Sequence, residues 1–248
     1  MSPVRTRLAA PTTVLSSMDR ISGFEPEGVG SIPAGPANKD IMNNIKELKL
    51  STITVKYTDE TSGAGELMIE DLLKTIKSLY PTRKFDHCLE WCAGPGFIGF
   101  SLLDRGICNN LSLSDIYEPI EDLVKSTIDQ NNLTNVNFFL SNNFNNIPKG
   151  TKFDLIIGNP PWFSNDPYAV VLTDPRRYKD PDWQIHKDFF ENAKEYLAKD
   201  GVILLLENVW GSGISTFEKM ILDNGFEFRH MLNETYPMDM WYLEITHR

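Results

Sequence analysis

The chain has 248 residues, 41% hydrophobic and 23% charged, a globular composition that fits one α/β domain of ordinary size. Its formal charge of -10 argues against a broad nucleic-acid footprint, because neutralising phosphates takes clustered Lys and Arg. Its three cysteines (Cys88, Cys92 and Cys108) suit neither a disulfide framework nor a metal site, so no metal and a reducing cytoplasm are expected, and no apolar run approaches the roughly 20 residues of a membrane span.

Residues 1–38 hold five of the 15 prolines and four of the 16 glycines and show no apolar period, so they read as a flexible leader. Residues 39–80 read as an N-terminal helical cap. "NKDIMNNIKELKL" opens on an Asn cap and spaces Ile41, Ile45 and Leu48 as a helix would. "STITVKYT" alternates like a short strand, and "GELMIEDLLKTIKSLY" places Met68, Leu72, Ile76 and Leu79 on one helical stripe.

From 81 to 248 strands and helices take turns. The strands are "DHCLEW", "LSLSD", "VNFFL", "FDLIIG" and "VILLLEN"; the helices are "FIGFSLLDRG", "PIEDLVKSTIDQNN", "WQIHKDFFENAKEYLAKDG" and "STFEKMILDNG". Continuous apolar strands alternating with amphipathic helices predict an α/β, Rossmann-like fold, a mostly parallel sheet with helices on both faces. "FEFRHML" and "MWYLEITHR", joined by a short link, predict an antiparallel hairpin at one edge.

Two corners carry chemistry. In "LEWCAGPGFIGF" Gly94 and Gly96 follow a strand and open a helix, where backbone must turn tightly and approach a ligand, and Glu90 stands at the strand's end. Asp115 ends the next strand about 20 residues later, where a carboxylate can accept from ribose hydroxyls; a helix N-cap is the bland alternative. Gly94, Gly96 and Gly99 also come near a redox-dinucleotide fingerprint, so an NAD-linked oxidoreductase stays open at this point. The second corner is "FDLIIGNPPWF", where a buried strand runs into Asn159-Pro160-Pro161-Trp162. The two prolines fix φ and lack N–H groups, leaving a stiff loop with free carbonyl acceptors.

With these two corners the chain resembles the class I S-adenosylmethionine-dependent methyltransferases that act on amide or exocyclic amino nitrogen. "EWCAGPG" matches their first motif, with Cys92 in place of its first glycine, and Asn159-Pro160-Pro161-Trp162 matches their fourth. The likeness covers about residues 64–248, and its nearest flavour is that of the release-factor glutamine methyltransferases. It implies an S-adenosyl-L-methionine site built from Glu90, Cys92, Ala93, Gly94, Gly96, Asp115, Ile116, Asn142, Asn143 and Asn159. Asn142 would replace the family's adenine-binding acid through its amide oxygen. The resemblance also implies catalytic roles for Asn159, Pro160 and Trp162. The carboxamide oxygen and the Pro160 carbonyl would accept from one NH2 group, and Trp162 would stack on the flat acceptor. The fourth strand is expected beside the first.

The stretch after this motif should overhang the site, with Tyr168, Trp183 and His186 as candidate substrate contacts and Trp210 after the next strand. For His186 and Trp210 ordinary packing is the competing expectation. The expected activity is methyl transfer to a nitrogen of a small molecule or protein, with RNA next and DNA last, because no large basic recognition region accompanies the motifs. A cyclase that turns S-adenosylmethionine into azetidine-2-carboxylate and methylthioadenosine on the same fold is the alternative, since fold does not fix reaction.

Overall fold

In a computed structural model of the protein the described residues are 44–63, 65–164, 179–209, 211–232 and 240–248, all within the compact unit Pro36–Arg248. The leader, Ile41, Tyr168 and Trp210 therefore lie outside the described residues.

The first elements are β1 (Lys46–Lys49) and β2 (Thr54–Tyr57), an antiparallel pair in which Lys46 faces Tyr57 and Lys49 faces Thr54. The helix expected across "NKDIMNNIKELKL" is thus a strand at Lys46–Lys49. The spacing was ambiguous: Leu48 and Leu50 lie two apart, and both pack on the core from one face of an extended chain. Helices α1 (Asp59–Ser62) and α2 (Ile69–Leu79) follow, and α2 buries Ile69, Leu72, Leu73 and Ile76 as its stripe predicts.

Seven strands form the main sheet: β3 (Phe85–Trp91), β4 (Cys108–Asp115), β5 (Val136–Leu140), β6 (Phe153–Gly158), β7 (Leu197–Asn208), β8 (Phe226–Leu232) and β9 (Met240–His247). Their order is β5-β4-β3-β6-β7-β9-β8. The five from β5 to β7 run parallel, and β9 is antiparallel to both β7 and β8. This is the mostly parallel, Rossmann-like sheet that the sequence predicts. The terminal pair forms the expected hairpin, with β9 inserted between β7 and β8.

Alternation along each strand feeds two cores. Leu155 and Ile157 of β6, with Val202, Leu204 and Leu206 of β7, pack on α2, α3 (Phe97–Asp104) and α4 (Ile120–Gln130). Phe153 and Ile156, with Ile203 and Leu205, pack on α5 (Gln184–Tyr196) and α6 (Ile214–Asp223). Helix α5 ends earlier than its sequence suggested. Leu197 turns extended at ψ 132° and pairs with Phe153 in the sheet, so tertiary pairing overrides the helical propensity of "LAKD". None of the described helices is long and apolar enough to cross a membrane.

The segment ahead of α1 is sewn to the helices beneath it. The Asp104 carboxylate, at the end of α3, accepts from the backbone N–H groups of Ser51 (3.0 Å), Thr52 (2.6 Å) and Ile53 (3.0 Å) and from the Thr52 hydroxyl (2.8 Å). Asn131, at the end of α4, exchanges hydrogen bonds with both the N–H and the C=O of Thr54. This stitching delivers α1 to the carboxyl ends of the sheet strands.

Candidate active site

Strand order reverses between β3 and its two neighbours: β4 and β5 lie on one side, β6 and β7 on the other. Open α/β sheets leave a crevice beyond the strand ends at such a point. The cleft found there encloses about 1140 Å³ when its open mouth is counted. Residues following β3, β4, β5 and β6 converge on it, and Thr61, Ser62, Gly63 and Gly65 close one side.

After β3 the backbone makes the predicted tight turn. Gly96 sits at φ +83°, and a Cβ there would come within 2.8 Å of Leu113 and 2.9 Å of the Phe100 ring, so only glycine fits. Cys92, where the resemblance places a glycine, also has a left-handed backbone, at φ 54°. That explains the glycine preference and makes Cys92 a position of strain. Cys92, Ala93 and Gly94 all line the cleft. Glu90 lines it as well, buried to 3% exposure, with one oxygen accepting from the Gly99 N–H at 2.7 Å. Burial drives its carboxyl up to about 8, against the backbone hydrogen bonds that favour the charged form.

Asp115 ends β4 at the rim and links two turns: its oxygens accept from the N–H of Gly94 (2.7 Å) and of Tyr117 (2.8 Å). Ile116, next along, is 45% exposed and lines the same cleft, an apolar surface held open to the site. Beyond β5, Asn142 is exposed and lines the cleft. Asn143 lines it too, but its amide is committed: the oxygen accepts from the Trp91 indole at 2.7 Å and the NH2 donates to the Ile185 carbonyl at 3.1 Å. Its backbone is left-handed at φ 48°. Asn143 therefore braces two walls, Trp91 and Ile185, which the sequence did not reveal.

Beyond β6 stands the Asn-Pro-Pro-Trp corner. Strand β6 pairs directly with β3, Trp91 facing Gly158, so Asn159 is delivered beside the glycine turn as expected. Asn159, Pro160, Pro161, Trp162 and Phe163 line the cleft. The Trp162 indole donates to the Leu206 carbonyl at 3.2 Å, which fixes its ring. The Asn159 side-chain oxygen is buried and accepts no hydrogen bond from the described residues. A buried polar atom left unpaired costs roughly 1–3 kcal/mol, and such an atom at the wall of a cleft is built to be satisfied by what enters. Among the described residues the cleft lining carries no Lys or Arg.

Two candidate substrate contacts fall elsewhere. Trp183 and His186 do not line the cleft. His186 is fully buried between Asp180 (Nδ1 to Oδ2, 2.6 Å) and Glu207 (Nε2 to Oε1, 3.3 Å), and Trp183 packs edge-on against it and Phe217. Burial opposes charge on the imidazole, but the two carboxylates outweigh it and raise its pKa to about 9. The apolar face of α5 buries His186 behind the site, and Trp183, at the start of that helix, is half-buried beside it. Thr61, Ser62, Gly63, Tyr117, Ser141 and Ile185 line the cleft without having been expected there. The only local signal was the helix start at Thr58, whose N–H donates to the Thr61 hydroxyl at 2.9 Å.

Similarity to known proteins follows the same geometry. A release factor glutamine methyltransferase of Leptospira interrogans is 35% identical over 135 residues, 54% of this chain and 45% of that protein. One of Fusobacterium nucleatum is 24% identical over 169 residues, 65% and 46% respectively. The chain thus spans about half the length of these curated relatives. Among solved structures, a 16S rRNA N2 methyltransferase of Thermus thermophilus, in complex with AdoMet and guanosine, shares the fold with a TM-score of 0.59 at 16% identity, over 83% of this chain and 50% of that one. A methyltransferase of Pyrococcus furiosus does so with a TM-score of 0.57 at 14% identity, over 80% and 90%. The family model described as Eco57I restriction-modification methylase matches residues 41–233, and the chain belongs to that family.

Proposed function

We propose that the chain is an S-adenosylmethionine-dependent N-methyltransferase acting on an amide or amine nitrogen, with a protein side-chain amide as the first candidate acceptor. The observation that carries this reading is the buried, unpartnered Asn159 oxygen beside the glycine turn. An NH2 group is the chemical partner that oxygen lacks. With Pro160 and Pro161 fixing the backbone, Asn159 and the Pro160 carbonyl orient an incoming nitrogen, and Trp162 offers a flat, anchored wall.

The residues around the turn fit the donor. The backbone of Cys92, Ala93, Gly94 and Gly96, the carboxyl groups of Glu90 and Asp115, the apolar Ile116 and the amide of Asn142 would hold S-adenosylmethionine, while Asn143 would shape its pocket through Trp91. When bound, that cofactor supplies an electrophilic methyl group on a cationic sulfur. The chain's own part is alignment, exclusion of water and proximity. Residues 39–80 act as a cap in this reading, a role supported by Thr61, Ser62 and Gly63 at the cleft. Tyr168 and Trp210 stay proposed as substrate contacts on sequence position alone; Trp183 and His186 do not.

Protein amide is preferred for two reasons: the curated relatives bear the name release factor glutamine methyltransferase, and the described lining has no cation to meet phosphate. A second reading, an exocyclic amine of a nucleic-acid base, is favoured by the matching family description. Labelled S-adenosylmethionine should be offered with a purified release factor, with unmodified RNA and with unmodified duplex DNA. Label in the protein supports the first reading, label in nucleic acid the second, and label in none of them argues against both.

A further inference from the structure

We propose that Asp180, His186 and Glu207 form a buried positioning unit that holds the Asn-Pro-Pro-Trp corner from behind. All three side chains are fully buried, with 0% exposure, and none of them lines the cleft. Burying three ionisable groups together carries a desolvation cost that a packed apolar core does not, so stability alone does not account for the cluster.

The connections show what it does. Asp180 lies where the chain returns from the stretch after the corner. Its N–H donates to the Phe163 carbonyl at 2.7 Å, and Lys179 forms a β-bridge with Phe163, so the chain beyond Trp162 is pinned there. Its carboxylate takes the N–H groups of Ile185 (2.7 Å) and His186 (3.0 Å) at the start of α5, and the His186 ring at 2.6 Å. The other ring nitrogen reaches Glu207 on β7. Glu207 follows Leu206, whose carbonyl receives the Trp162 indole. One imidazole thus ties the two anchors of the corner, at Trp162 and at Phe163.

When its ring is protonated, the imidazole donates from Nδ1 to Asp180 and from Nε2 to Glu207 at once, while burial raises the Glu207 carboxyl. The ring stacks on Phe217 at 4.5 Å between centroids and meets the edges of Trp91 and Trp183. No other titratable group is hydrogen-bonded to it among the described residues. Removing the imidazole leaves the Asp180 and Glu207 carboxyl groups, one on either side of it, buried without that shared partner. The strain would pass to Ile185 and Phe163, both of which line the cleft.

The inference rests on the proposed function for its turnover arm only. In His186→Gln, measured on the full chain without cofactor, the Asp180, Trp183 and Ile185 amides and the Trp162 indole N–H should exchange with deuterium at least about tenfold faster, with β4 amides changed less than about twofold. Asp180→Asn should do the same and serves if His186→Gln does not fold. The turnover arm compares His186→Gln in wild-type and Asn159→Ala backgrounds. The kcat loss should appear in the first and vanish in the second, because both changes disable one aligned corner. Uniform acceleration across the sheet, unchanged exchange at the Trp162 indole, or a full additive loss in the double variant would overturn the inference. A wild-type chain that transfers no methyl group to any of the three acceptors defeats the proposed function instead and leaves the exchange arm standing.

Discussion

Replacing Asp104 by Ala tests whether the strap ahead of α1 is held as described. Oδ1 accepts three hydrogen bonds, from the Thr52 N–H, the Thr52 hydroxyl and the Ile53 N–H, and Oδ2 accepts one, from the Ser51 N–H. Hydrogen bonds to a charged group contribute about 1.5–3 kcal/mol each when buried, but these lie at a partly solvated edge where water replaces the lost acceptor. The net cost should be about 2 kcal/mol, which for a domain of this size lowers Tm by roughly 4–8 °C. Asp104→Asn keeps an acceptor for the three-bond set and sets an NH2 against the Ser51 N–H, so it should lose about half as much. Burial pushes the Asp104 carboxyl up, but the hydrogen bonds from Thr52, Ser51 and Ile53 together prevail and lower it from its ordinary 3.8. A group depressed on folding contributes its stability above its unfolded pKa and loses it as pH falls through the lower folded value. The difference between wild type and Asp104→Ala, followed by calorimetry, should therefore be full above about pH 5 and shrink below about pH 4. A Tm change under about 1 °C, or a difference independent of pH over that range, would refute the reasoning.

Further outcomes follow from the cleft. The Glu90 carboxyl is raised to about 8 in the folded chain, so folding retains a proton there that the unfolded chain releases near 4.5. Wild type should accordingly lose stability relative to Glu90→Gln as pH rises from about 4.5 to about 8, seen in paired denaturant titrations, and parallel curves would contradict the burial argument. Incubation with S-adenosylmethionine alone should release no methylthioadenosine by mass spectrometry; its accumulation without an acceptor would point to the cyclase reaction.

Much of this architecture was legible because it is local. Continuous apolar runs and period-3.6 patterns marked the elements from β3 to α6, and Gly96 and Pro160–Pro161 marked the corners because their backbone needs are written in residue type. What stayed hidden depends on partners far along the chain. Leu48 read as helix, in step with Ile41 and Ile45, until the pairing of β1 with β2 decided for strand. The insertion of β9 beside β7 needs contacts that no short window contains. His186 offered the same letter for a cleft base and for a buried cation, and only Asp180 and Glu207 on either side of it choose between them. Asn143 likewise reads as a ligand contact until the Trp91 indole claims its oxygen.

The central claim is that the Asn159 carboxamide aligns an acceptor nitrogen and leaves the donor site to other residues. Asn159→Ala, assayed for S-adenosylmethionine binding by calorimetry and for methyl transfer in single turnover, tests it most directly. The account predicts cofactor Kd within about threefold of wild type and a methyl-transfer rate reduced at least about 100-fold. A variant that transfers methyl groups at the wild-type rate, or one that loses cofactor binding in the same proportion as turnover, would contradict it.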